Sequence, residues 1–204
     1  MKTLSKILTI GLIISLFSAC AIFRQKTNNA THDEGVVING IRWATRNVDA
    51  PGTFAPRPES SGMFFQWNRR KGWNVTDRYV ENWDNSTPEG TKWYAENDPC
   101  PEGWRVPTRE ELEILENIDS EWTIKNGVNG RLFGIAPKQI FLPAVDRRYY
   151  IDGALNCVGA PGTYWSSNRR FGERYGTTLW FFSDRVGVSW HLRQFGFSIR
   201  CVAK

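Results

Sequence analysis

Only one stretch of this chain repeats apolar residues at helical spacing, and that constrains the fold more than any other feature. At Thr108-Arg109-Glu110-Glu111 the Thr108 hydroxyl and the Glu111 carboxylate can satisfy each other's backbone amides as a capping box, with Pro107 marking the chain's entry. Leu112, Leu115 and Ile118 follow on one face, so a helix is expected over 109–118 with its glutamates outward. Beyond it come short apolar runs separated by turn residues, at 132–135, 140–142, 164–166, 178–182, 186–192 and 197–202, which read as strands. Ahead of it, Val36-Val37-Ile38, Asn39-Gly40 and Ile41-Arg42-Trp43-Ala44 read as a β-hairpin, because Asn-Gly supplies the positive φ angles of a two-residue turn. Val186, Val188, Trp190 and Leu192 alternate with Gly187, Ser189 and His191, as in a half-buried antiparallel strand, and this places Trp190 with the core set. The expected class is α+β, antiparallel strands with one clear helix and long ordered loops.

The loops are concentrated between 51 and 97, where Trp67, Trp73, Trp83 and Trp93 stand among Gly, Pro, Asn and Asp with no sustained period. Ten tryptophans and 41% apolar residues are enough to offset chain entropy, so an ordered region pinned by aromatics is expected rather than disorder. No internal repeat or low-complexity tract interrupts it.

Lys2 and Lys6 precede an apolar run, 7–19, that is too short to span about 30 Å of hydrocarbon and suits a removable signal peptide. About 185 residues then remain, one domain of ordinary size, here 35–204, with a tether at 21–34. The run closes on Leu16-Phe17-Ser18-Ala19-Cys20, which resembles a bacterial lipobox, although Phe17 departs from the usual small or aliphatic residue. That resemblance implies acylation of Cys20 and a membrane partner through its lipid, each buried methylene contributing about 0.8 kcal/mol. The expected location is the bacterial cell envelope, as an outer-membrane lipoprotein. Arg24 and Lys26 occupy the stretch where acidic residues accompany surface export, so the side faced stays open.

Three cysteines remain, Cys100, Cys157 and Cys201, so at most one internal pair can form. Joining Cys100, in a Pro-rich turn, to Cys201, in the last apolar strand, would tie the middle of the domain to its end. This is the pairing favoured, with Cys157 left as a free thiol. A catalytic role for Cys157 finds no support, since the one histidine of the domain proper, His191, has no thiol beside it in sequence.

Four segments together resemble one family: INGIRWATRNVDAPGTFA (38–55), GMFFQWNR (62–69), NDPCPEGWRVPTREELEIL (97–115), and YWSSN (164–168) leading to GFSIRCVAK (196–204). They are similar to the Fibrobacter succinogenes major paralogous domain of Bacteroidetes lipoproteins over nearly the whole mature chain. The resemblance implies a C-type-lectin-like fold closed by a disulfide at the positions of Cys100 and Cys201, and a scaffold rather than a reaction. The Glu-Pro-Asn or Gln-Pro-Asp loop and Trp-Asn-Asp strand with which true C-type lectins hold calcium are missing. Trp83-Asp84-Asn85 and Glu96-Asn97-Asp98 are acidic enough for a hard cation, but such runs usually make Asx-turns, and no metal is expected.

The tail looks like the variable region of retroelement-diversified lectin-fold proteins. In those proteins fixed apolar residues hold a sheet while intervening positions contact ligand. Leu179, Phe181, Val186 and Val188 would be the fixed set here. Arg169, Arg170, Phe171, Trp180, Phe182, Arg185, Ser189, His191 and Arg193 would be displayed as the ligand-binding set. Trp180 and Phe182 fall opposite Leu179 and Phe181, where a solvated sheet would carry polar side chains. The competing reading buries both rings under the long loop and leaves the arginines merely solvated. Charge is local: residues 165–204 hold seven basic and two acidic side chains, while the rest of the mature chain is slightly acidic. An anionic glycan or protein surface fits that face better than nucleic acid.

Enzyme chemistry is not expected, and neither is a cofactor. The chain has no phosphate loop, HExxH, CxxC, GxSxG or dinucleotide fingerprint. The carboxylates Glu110, Glu111, Glu113, Glu116, Asp119 and Glu121 read as the solvated face of the helix rather than a glycosidase pair. Formylglycine-generating enzymes share the lectin-like fold but resemble a paired-cysteine copper site, which Cys157 alone cannot supply. The function expected is a lipid-anchored envelope protein of adhesin or receptor type. Its rival is a periplasmic structural or assembly lipoprotein without a soluble ligand.

Overall fold

Two Asn-Gly turns and one capped helix frame the structure, a computed structural model describing residues 30–145, 147–156, 159–170, 172 and 174–204. β1 (Val36–Ile38) and β2 (Ile41–Trp43) form the expected hairpin, with φ of 46° at Asn39 and 83° at Gly40. The loop region follows. It carries only β3 (Phe64–Gln66), β4 (Gly72–Trp73) and a 3-10 turn at Ala95–Asn97, and it buries Trp67, Trp73 and Trp93. β5 (Trp104–Arg105) leads into helix α1 (Arg109–Glu116), which opens on the expected capping box. Glu111 N donates to Thr108 Oγ1 at 3.3 Å and Thr108 N donates to Glu111 Oε2 at 2.7 Å. Both guanidinium arms of Arg105 also reach Glu111, at 2.8 and 2.6 Å. Burial pushes that carboxyl up, but the Arg105 fork and the Thr108 amide outweigh it and hold the group below its ordinary value. The helix ends two residues short of the expected limit, where the Asn117 amide donates to Glu113 O at 2.7 Å, and Ile118 still packs on the core.

β6 (Ser120–Lys125), β7 (Val128–Ile135) and β8 (Lys138–Pro143) form a meander. β6 corrects the sequence reading. Its residues are partly exposed and charged, so it has no apolar run to announce it, and Glu121 therefore lies on a strand instead of extending the helix face. β9 (Arg147–Arg148), β10 (Leu155–Asn156), β11 (Gly162–Arg169), β12 (Tyr175–Phe181) and β13 (Val186–Leu192) follow, then β14 (Gly196–Phe197) and β15 (Val202–Ala203). The single strand expected over 197–202 is thus two, because the chain passes from one sheet to another there. β14 joins β3 and β9, β15 joins β2 and β5, and Arg200 turns inward between them.

The sheets are ordered β1-β2-β15-β5, β10-β9-β14-β3-β4, β11-β12-β13 and β6-β7-β8, and every strand pair is antiparallel. With one α-helix among the described residues, the class is α+β. α1 buries Leu112 and Leu115 in a cluster with Phe133, Leu142, Tyr164, Leu179 and Phe181. A second cluster gathers Phe54, Trp67, Trp104, Trp165, Phe197 and Ile199 around the Cys100–Cys201 disulfide, which joins positions 101 residues apart. Asp33, expected in the tether, is instead packed into the domain, where it accepts the Gly35 and Thr45 amides and pairs with Arg46 at 3.2 Å. The expected signal segment, Cys20 and Cys157 lie outside the described residues. No helix among the described residues is long and apolar enough to cross a membrane.

Candidate functional site

The β11–β13 sheet has two unlike faces. On one, the register stacks Tyr164 on Leu179 and Val188, and Phe181 on Val186, against α1. The four residues expected to be fixed lie together there. On the other face, Thr163 and Gly187 flank Trp180, Ser189 is opposite Thr178, and His191 is opposite Gly176. The tryptophan-rich loop covers one end of this second face: a Cβ on Gly176 would lie 2.6 Å from the Trp67 ring, whose Nε1 donates to Ser166 O at 3.0 Å. The other end is open. It forms a groove of about 310 Å³ lined by Trp180, Phe182, Arg185, Ser189 and His191, five of the nine expected ligand-binding residues. Pro161 and Thr163 supply a wall, and Arg147 reaches in from β9.

The indole of Trp180 lies on the strand backbone, since a Cβ at Gly187 would come within 2.6 Å of it. Phe182 stands edge-on to it, 5.8 Å between centroids at 66°. The β12–β13 turn is held by Phe182 N donating to Arg185 O at 2.9 Å and by Arg131, whose Nη1 donates to Phe182 O at 3.0 Å. Arg185 projects from this turn, 5.3 Å from the Phe182 ring and 6.0 Å from the Trp180 ring. Its ion pair with Asp184, at 3.8 Å between two exposed side chains, is weak. Arg147 lies over the Phe195 ring at 5.4 Å. His191 Nδ1 is 3.0 Å from Thr178 Oγ1, and its ring meets Phe197 edge-on at 5.1 Å. Burial, and then the Arg147 charge, push the His191 pKa down to about 4, so the imidazole is neutral at physiological pH. The groove therefore holds two guanidiniums, a neutral imidazole, hydroxyls and an aromatic floor, and no carboxylate is among the described residues that line it. Such a site attracts anions.

The remaining expected residues are elsewhere. Arg193 is a correction: it is 3% exposed, lies 4.8 Å over the Trp67 ring and donates to Gly90 O at 2.8 Å. The chain has turned back into the core by that point, and Arg193 braces the long loop from inside. Arg170 sits 3.4 Å over the ring of Trp190, away from the groove on the sheet's other face. Trp190 is a second correction, 46% exposed where the alternation placed it in the core. Glu116, in the last turn of α1, accepts the Val188 amide at 3.0 Å, and Trp190 lies one pleat past that cover. Arg169 is half-buried at the end of β11, and Phe171 lies outside the described residues.

Arg147 was missed. It belongs to an Arg-Arg doublet in a loop with no apolar pattern, and the two residues have opposite fates. Arg148 is fully buried and donates to Asn74, Asp77 and Gly153. Only the pairing of β9 with β14 sets Arg147 beside β13.

Several acidic groups elsewhere are engaged in the fold. Asp84 pairs with Arg69 at 2.8 Å, Asp98 accepts the Cys100 and Val106 amides, and Glu113 pairs with Arg109. Among the described residues, no three His, Cys, Asp or Glu side chains converge in a way that could hold a metal ion. No family model, curated protein or solved structure matches this chain.

Proposed function

We propose that this protein is a lipid-anchored binding protein of the bacterial cell envelope, of adhesin or receptor type, which holds an anionic ligand in the groove of the β11–β13 sheet. The observation that carries the reading is the groove itself. Trp180, Phe182 and Arg185 converge on a cavity that Arg147 also lines, and no carboxylate is among the described residues of its wall. Aromatic rings beside arginine in a partly desolvated recess are the chemistry that dominates binding hot spots. The anchor and the outer-membrane location are proposed from the lipobox-like segment 16–20, which supports acylation at Cys20. The domain reading rests on the resemblance to the Fibrobacter succinogenes major paralogous domain, and thereby to a C-type-lectin-like fold. The antiparallel α+β architecture and the Cys100–Cys201 bridge are compatible with it.

The triple variant Trp180→Ala, Phe182→Ala, Arg185→Ala tests the site. Compared with the wild type on an array of glycans and envelope fractions, it is expected to lose binding by about 100-fold, as hot-spot truncation does, while its thermal midpoint stays within a few degrees. Undiminished binding by a folded triple variant overturns the assignment.

A further inference from the structure

We infer that the groove takes an acidic sugar ring, its less polar face on Trp180 and its carboxylate at Arg185. This rests on the reading of the groove as the binding site and names the class of ligand. The volume, about 310 Å³, is at the small end of ligand pockets and suits one ring rather than a helix or a folded segment. Trp180 lies against the strand backbone, where Gly187 has no side chain to displace it, so the opposite indole face, approached by Arg185 at 6.0 Å, is the one that meets the groove. That face carries the negative end of the ring quadrupole and complements the weakly positive C–H face of a pyranose. The Ser189 hydroxyl and the free edge of the neutral His191 ring, whose Nδ1 is occupied by Thr178, offer partners for ring hydroxyls. Arg185 projects from the exposed β12–β13 turn beside the Trp180 and Phe182 rings, and a guanidinium fork matches a carboxylate in bidentate fashion. An acidic peptide would use the arginines but leave the flat indole and the hydroxyls without a role.

Calorimetry on the full chain decides it, using trigalacturonate, its neutral methyl ester and oligoglutamate as probes. Trigalacturonate is expected to bind at least about tenfold more tightly than the ester, as expected for a charge-assisted pair. Arg185→Gln, at an exposed turn, removes that preference and leaves the weak binding common to both sugars. Trp180→Ala weakens both sugars and does not alter binding of the peptide. Equal affinity for acid and ester overturns the inference. Binding of oligoglutamate alone, lost in Arg185→Gln, overturns the sugar and leaves the groove reading standing. So does failure of all three probes while the array partner still depends on Trp180, Phe182 and Arg185. If the probes fail and the triple variant is also indistinguishable on the array, both readings fall.

Discussion

Replacing Cys100 and Cys201 together with alanine lowers stability by about 4–5 kcal/mol, from the loss of a cross-link that closes a loop of this length in the unfolded chain. For a domain of this size that corresponds to a fall in thermal midpoint of about 10–20 °C. The bridge lies inside the cluster of Phe54, Trp104, Trp165 and Ile199 and ties the turn before β5 to the strand end before β15. Both neighbouring sheets depend on that join: β15 sits between β2 and β5, and Ala44 N donates to Cys201 O at 2.9 Å. Thermal melts of the double variant and the wild type under oxidising conditions measure the difference. A shift of under about 3 °C, equivalent to about 1 kcal/mol, would show that the bridge is incidental to the fold.

Arg200→Met is expected to cost about 3–5 kcal/mol, because it strips a buried donor from the acceptors gathered around it. Arg200 is 1% exposed. Its Nε and Nη2 donate to Asn47 Oδ1 at 3.0 and 2.7 Å, Nη1 to Ala44 O at 3.2 Å and Nη2 to Phe141 O at 3.1 Å. Burial drives its pKa down to about 10, still high enough to keep the charge at neutral pH. Asn47 in turn donates to Ser61 O and the Tyr164 hydroxyl, so the loss spreads from the β14–β15 crossing into the core beneath β11. Methionine fills the volume without donating, which isolates the hydrogen bonds from packing. The measurement is the urea midpoint, and a variant within about 1 kcal/mol of wild type would show that those carbonyls find water instead.

Elements governed by local chemistry were legible in the sequence, and those governed by distant partners were not. The Asn39-Gly40 hairpin and the Thr108 cap declare themselves within five residues, and the structure follows both. Asn126-Gly127 carries the same turn signal, with φ of 48° and 80°, but the strand before it is charged enough to hide. In β13 the alternation is real, with Val186 and Val188 packed beneath α1, yet period alone does not say where the helix stops, and Trp190 emerges beyond it. Arginine is ambiguous for the same reason. Arg185, Arg193 and Arg200 look alike in composition, and one lines a groove, one stacks on Trp67 and one is sealed in the core. Which is which depends on loops more than 100 residues away in sequence. Five of the eight lining residues were therefore visible, those of β12, β13 and the turn between them, while Arg147, Pro161 and Thr163 were not.

The account stands on Arg147 and His191 meeting in one groove under the Phe195 and Phe197 rings. His191 reports it directly, since the chain has only one other histidine, His32. With a folded pKa below the unfolded one, His191 contributes stability that is fully present above about pH 6.5 and is lost as pH falls toward the folded value. Following the imidazole protons by NMR as the intact protein is titrated should give a midpoint for His191 of about 4. A midpoint near 6.5, the value of a solvated imidazole, would mean that the ring lies in water away from Arg147 and that the groove does not exist as described.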